Sequence, residues 1–210
     1  MKRVINLDNW NRKEHFKFFS LSMTLFGELL RLLISQAYIN KVKYGGFFFL
    51  YSVYFLLKCI NATTAFKLRI ENGEVVEYDK INISPTIGRE DGTFGFGFFE
   101  YDTDLSLFIE NAEKEIHRVK NSAGLSFSKD TARADVIRYS ALPWFAFSEM
   151  KHAGSIQTGD SIPKISTGKL IQEKKKLLLP ISISVHHGLV DGRNVAEFIQ
   201  NLKDGQNNTL

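Results

Sequence analysis

Cysteine is nearly absent: Cys59 is the only one in 210 residues, so no internal disulfide can form and a reducing compartment, the cytoplasm, is expected. Proline is scarce, at four, and no Pro-, Gly- or Ser-rich linker and no repeat interrupts the chain. It therefore reads as one domain over residues 1–210. A membrane-spanning run is missing, because GGFFFLYSVYFLLKCI is too short to cross a bilayer and carries Lys58. The opening MKRVINLDNWNRKEHF lacks the apolar segment of a secretion signal. Charge of one sign is missing too: 27 Lys and Arg stand against 23 Asp and Glu, for a net +4. The only tight basic run, Lys174-Lys175-Lys176, reads as a solvated turn, so neither nucleic acid nor membrane is an expected partner, while a small anion such as coenzyme A remains compatible. There is no GxSxG elbow, which argues against a Ser-His-Asp hydrolase.

What the chain has in plenty is phenylalanine, 18 residues, which core packing accounts for in the main. The segments alternate between helix and strand signals without a regular βαβ repeat. An amphipathic turn or helix is expected over Trp10–Phe19, a helix near Gln36–Tyr44, and a buried helix from Phe47 to Ile60. Glu28–Ser35 (ELLRLLIS) is ambiguous, since its composition favours helix and its length a strand. FKLRIENGEVVEYD predicts a hairpin turning at Asn72-Gly73. TFGFGFFEY alternates as a strand. Leu105, Phe108, Ile109, Ala112, Ile116 and Val119 share one helical face over Asp104–Lys120, with Thr103 as the candidate cap. A strand is expected over Ala134–Phe147, and a last strand, LLLPISISVHH, leads into a helix with Val195, Phe198, Ile199 and Leu202 on one face. The fold class is α+β, a two-layer sandwich in which helices flank a large mixed sheet.

The segment ISISVHHGLVDG, residues 181–192, carries the chemistry. Along an extended strand Ile181, Ile183, Val185 and His187 point one way, and Ser182, Ser184 and His186 the other. The two histidines therefore cannot share a job. His187 closes the apolar row where the strand ends, partly desolvated and so kept neutral, yet within reach of a substrate proton; that is a suitable setting for a general base. The opposed imidazoles, with no cysteine or third histidine at ligand spacing, give no metal site. Asp191 is a candidate helix N-cap before Gly192.

HHxxxDG near the C-terminus, LDNW-x-RKEHF at Leu7–Phe16, LPWFAF at Leu142–Phe147, DSIPKISTGK at Asp160–Lys169 and LLLPISISVHH together resemble the chloramphenicol acetyltransferase family across nearly the whole chain. HHxxxDG is shared by peptide-synthetase condensation domains and dihydrolipoamide acyltransferases, but chain length and LDNW do not suit those. The resemblance implies a coenzyme-A-dependent acyltransferase fold, acetyl-CoA as co-substrate, and antibiotic resistance through acetylation of chloramphenicol or a similar hydroxylated acceptor. It also implies a homotrimer with active sites between subunits, His187 coming from one chain and much of the acceptor pocket from the next. His187 takes the role of base and no acyl-enzyme is implied. Asp191 pairs with Arg12 to hold the active-site loop, and an unpaired charge there would cost about 3–5 kcal/mol. Ser166 matches a hydroxyl that orients water near the intermediate, and Phe19 replaces a tyrosine that touches the acceptor.

The family's oxyanion-stabilising serine is placed at Glu149, with Ser148 a substitute only if a bulge turned it inward. A carboxylate there would oppose a developing oxyanion, so Glu149→Ser should raise transfer about tenfold or more, each tenfold being worth about 1.4 kcal/mol. Two rival readings stand beside this one. The same chemistry could serve another hydroxyl or amine acceptor, or the chain could be a trimeric homologue, impaired by Glu149, that only binds ligand.

Overall fold

A computed structural model describes residues 1–20, 25–33, 48–150, 160–173 and 176–207. In chain order the elements are β1 (Lys2–Val4), α1 (Lys13–Ser20), β2 (Leu25–Leu33), α2 (Phe48–Ala62), β3 (Leu68–Glu71), β4 (Glu74–Tyr78), β5 (Asn82–Gly88), β6 (Phe94–Phe96), α3 (Leu105–Lys120), β7 (Val136–Ala141), β8 (Lys164–Thr167), β9 (Ile171–Glu173), β10 (Lys176–His186) and α4 (Gly192–Asn207). The helix expected near Gln36–Tyr44 lies outside the described residues, as does most of the lysine run. Two expected boundaries move. The strand expected over Ala134–Phe147 is β7 and stops at Ala141, before Pro143 (which has no N–H to offer a ladder). TFGFGFFEY supplies only the three residues of β6.

The large sheet has the order β2-β10-β8-β7-β5-β6, with β9 paired to one end of β10. Pairs β5–β7 and β7–β8 are parallel and the others antiparallel, so the sheet is mixed. ELLRLLIS resolves as strand, because its Glu28–Leu33 portion pairs all along β10 (Leu33 opposite Leu178 through Glu28 opposite Ile183). Pairing with a long central partner outweighs leucine's preference for helix.

One sheet face is apolar. Ile83, Ile137, Tyr139, Ile165, Ile181, Ile183 and Val185 join Leu50, Val53, Phe108, Val195 and Phe198 from α2, α3 and α4 in a single core. Ring contacts knit the two layers, with Phe49 of α2 at 6.0 Å from Tyr139 of β7. α3 starts at Asp104, not Thr103: the Asp104 carboxylate accepts the backbone N–H groups of Ser106 at 2.7 Å and Leu107 at 3.1 Å. Accepting the N–H groups of both N2 and N3 makes Asp104 the cap.

A smaller sheet, β1-β4-β3, stands beside the large one. Its hairpin turns at Asn72 (φ 52°) and Gly73 (φ 82°), the two left-handed positions expected of a tight turn. Arg69 of β3 is fully buried and ties the two sheets together. Its guanidinium donates to the carbonyls of Ala134 and Val136 at 2.8 Å, Phe66 at 2.9 Å and Leu68 at 2.7 Å.

Candidate active site

The other face of the large sheet is polar. Register places Ser84 beside Arg138, Arg138 beside Lys164, Ser140 beside Ser166, and Ser166 opposite Ser182. Directly paired residues point to the same side of a sheet, so hydroxyls and cations from four strands share one surface. A cavity of about 460 Å³ opens on it, with Ser84, Thr86, Arg138, Ser140, Lys164 and Ser166 in its wall and the rings of Phe96 and Phe127 along one side. Ser140 and Thr86 hydroxyls lie 3.1 Å apart.

His187 stands outside this wall. β10 ends at His186, and His187 is the first residue of a tight turn closed by Leu189 and Val190 N–H groups on the His186 carbonyl, at 2.9 and 3.0 Å. The Gly188 N–H donates to His186 Nδ1 at 3.2 Å. A Cβ at Gly188 would meet His186 Cε1 at 3.0 Å and Nδ1 at 3.1 Å, so glycine is what lets the turn close over the buried ring. Burial, reinforced by the adjacent His187 and opposed by Asp160, lowers the His186 pKa. His187 Nδ1 lies 3.3 Å from the Val190 carbonyl oxygen. A carbonyl only accepts, so Nδ1 carries the proton and Nε2 the basic lone pair. Phe19 of α1 packs against the ring, centroids 4.1 Å apart.

Arg12 and Asp191 form an ion pair, and Arg12 Nη2 reaches the His187 carbonyl at 3.4 Å. The Asp191 carboxylate also accepts the N–H groups of Arg193 at 3.0 Å and Asn194 at 3.1 Å, while Asn194 Oδ1 accepts the Asp191 N–H at 3.1 Å. Asp191 is thus both the cap of α4 and the partner of Arg12. Burial alone would raise its pKa, but hydrogen bonds from Arg12 and the backbone, with the Arg12 charge, outweigh it and hold the carboxyl below its ordinary 3.8.

A family model described as chloramphenicol acetyltransferase matches residues 2–203. The chain belongs to that family. It is 28% identical over 208 residues to chloramphenicol acetyltransferase 3 of Escherichia coli, covering 98% of this chain and 97% of that one. A chloramphenicol acetyltransferase of Staphylococcus aureus is 29% identical with the same coverage. Among solved structures, a chloramphenicol acetyltransferase superposes with a TM-score of 0.89 at 27% identity, over 98% of this chain and 99% of the other. A probable dihydrolipoamide acetyltransferase from Listeria monocytogenes superposes at 0.69 with 11% identity, over 97% and 92% of the two chains, a likeness of fold alone. The fold is that of coenzyme-A-dependent acyltransferases, and this family member is an acyltransferase with acetyl-CoA as the implied co-substrate.

Within that family fold, Glu149 and Ser148, the positions expected for an oxyanion donor, lie outside the sheet. Both are exposed and stand well past the end of β7, in irregular chain outside the cavity wall. The hydroxyls in the wall include Ser84, Thr86, Ser140 and Ser166. Ser140 was legible as the last hydroxyl before the LPW segment, on the same strand face as Arg138. Among the described residues no helix is long and apolar enough to cross a membrane, and no group of three His, Cys, Asp or Glu could hold a metal.

One expectation follows for the brace on the His187 turn. Arg12 and Asp191 are partly exposed, so a single neutral substitution should cost about 1–3 kcal/mol, less than a fully buried pair. The double variant should recover part of that loss; strict additivity in a double-mutant cycle by denaturant unfolding would show that the pair does not couple. Because the Asp191 pKa is lowered on folding, its contribution is complete above the ordinary carboxyl value of 3.8 and disappears as pH falls through the folded value.

Proposed function

We propose that this chain is an acetyl-CoA-dependent O-acetyltransferase acting on a hydroxylated small molecule, with chloramphenicol the first acceptor to test and resistance the physiological outcome. Nε2 of His187 takes the proton of the acceptor hydroxyl as its oxygen attacks the thioester carbonyl carbon. The tetrahedral oxyanion collapses, the carbon–sulfur bond breaks, and the imidazolium returns the proton to the departing thiolate, leaving an acetyl ester and free coenzyme A. No covalent enzyme intermediate is needed; holding both substrates together supplies much of the rate. Ser140 is the oxyanion donor of this reading and Ser166 the hydroxyl beside it. Cys59 is no nucleophile, since it is buried, and burial pushes its thiol up to about 12 against a weaker pull from Lys58.

The observation that carries the reading is the separation of base and hydroxyls. Ser166 pairs with Ser182, five residues back along the chain from His187, or roughly 16 Å of strand. A base must lie within about 3 Å of the proton it takes, directly or through one water. One chain's His187 and its own Ser166 cannot both serve a single acceptor hydroxyl, which supports sites shared between subunits, as in the homotrimer of this reading. Exposed Trp144 (74%) and Phe145 (52%) supply apolar surface for such contacts. The whole of residues 1–210 acts as one domain in this reading, in the cytoplasm.

The test is release of coenzyme A thiol from acetyl-CoA with chloramphenicol present. Ser140→Ala should lower kcat by about a hundredfold, as loss of one oxyanion donor does elsewhere. Glu149→Ser should change it less than about threefold, below 0.7 kcal/mol of barrier. A tenfold rise for Glu149→Ser would return the oxyanion site to that position.

A further inference from the structure

The cavity holds one charge that the proposed reaction leaves unused. Arg138 lies in the middle of β7, between Ser84 on β5 and Lys164 on β8, two residues before Ser140 and on the same face. Several other guanidinium groups are satisfied within the protein. Arg69 donates to four carbonyls, and Arg133 forks onto the Asp135 carboxylate at 2.8 and 2.6 Å. Arg138 does neither. It is exposed to the cavity, and its side chain has no hydrogen bond or ion pair among the described residues. The acid in the wall, Asp160, is already bonded to Lys164 at 3.0 Å. Among the described residues the wall therefore carries two cations against one acid.

A planar donor fork with no acid to meet it is complementary to a carboxylate or phosphate, and charge-assisted pairs of this kind are short and strong. Beside it, Phe96 and Phe127 stack at 5.2 Å and 25°, an apolar platform for a flat ligand body. Two strand residues put Arg138 roughly 7 Å from Ser140. That separation suits a single aromatic ring with an anionic group at one position and a hydroxymethyl group at another.

We propose that the preferred acceptor is anionic: an apolar or aromatic primary alcohol bearing a carboxylate, gripped by Arg138 so that its hydroxyl lies at Ser140. Chloramphenicol, which is neutral, is then an acceptor that leaves this contact unmade. The proposal rests on the cavity being the acceptor site of the reaction above, and it makes Arg138 a specificity-determining residue.

The probes are 3-(hydroxymethyl)benzoate and its methyl ester, titrated calorimetrically into the whole protein and into Arg138→Gln, with acetyl-CoA titrated separately. The wild type should bind the acid at least about tenfold more tightly than the ester, and Arg138→Gln should bring the two within about threefold. Equal binding of acid and ester by the wild type, no measurable binding of the acid at millimolar concentration, or an acid preference that survives Arg138→Gln would overturn the proposal. So would weaker acetyl-CoA binding by the variant with the acid preference intact, which would assign the guanidinium to a coenzyme A phosphate. A changed mass by light scattering would assign it instead to an ion pair between subunits. Thiol release reports on the other reading independently: an acid preference without turnover on any acceptor sinks the catalytic assignment and leaves Arg138 as an anion-binding residue.

Discussion

His187→Ala is expected to lower acetyl transfer by at least about a thousandfold, within the range a positioned general base contributes. The turn that holds the ring is built from backbone bonds and from the Arg12–Asp191 brace, none of which needs an imidazole at this position. Fold and oligomeric mass should therefore be unchanged. His186→Ala should behave in the opposite way. His186 is buried and accepts the Gly188 N–H, so its loss opens a cavity and frees a donor beneath the turn, costing stability more than rate. Parallel measurements of kcat and thermal midpoint on the two variants separate the roles. Retention of more than a few per cent of turnover by His187→Ala would remove it as the base. The pH behaviour has a sign as well. The folded pKa of His186 lies below its ordinary 6.5, so its contribution to stability is present above that value and declines as pH falls below it.

Arg69→Met is expected to be the most destabilising single substitution on the sheet scaffold, at about 4 kcal/mol or more. Methionine keeps the length and apolar stem but removes every donor, leaving four carbonyls from two segments without their partner. Each such loss costs about 1–3 kcal/mol when the acceptor stays dry. Burial already holds the Arg69 guanidinium down to about 10, against the smaller upward pulls of Tyr78, Asp135, Asp160 and Glu71. Arg69→Lys should recover little, since a point ammonium cannot span acceptors on β3 and β7 together. Urea unfolding would read both; a variant within 1 kcal/mol of wild type, on the linear-extrapolation scale, would show that water replaces the lost bonds.

Much of this molecule was legible from residue pattern because pattern and packing agreed. Asn72-Gly73 could only turn, and the helix faces over Leu105–Lys120 and Gly192–Asn207 face the core as their spacing required. ELLRLLIS was undecidable alone, because strand pairing is a property of its partner, β10, and not of its own composition. Arg69 was invisible for a related reason: one cation between Leu68 and Ile70 reads as solvent-facing until the carbonyls that cover it are in place. Within the site, the strand argument reached only as far as His186, where β10 ends, and the family resemblance supplied the pair of Arg12 and Asp191. The error lay in assuming that β7 ran on through Phe147. The family resemblance placed the oxyanion donor at Glu149, and the pattern alone passed over Ser140, Thr86 and Arg138, which cross-strand register brings together.

The Arg12–Asp191 contact joins residues 179 positions apart. Contacts of such separation demand the largest loop closure and tend to form late, after helices and hairpins have been in place for some time. During synthesis α1 waits exposed until β10, which leads into His187, has been made and has found β2. Every partially made chain therefore lacks both the base and the brace that positions it, and the appearance of turnover in a refolding experiment should trail the recovery of helical signal.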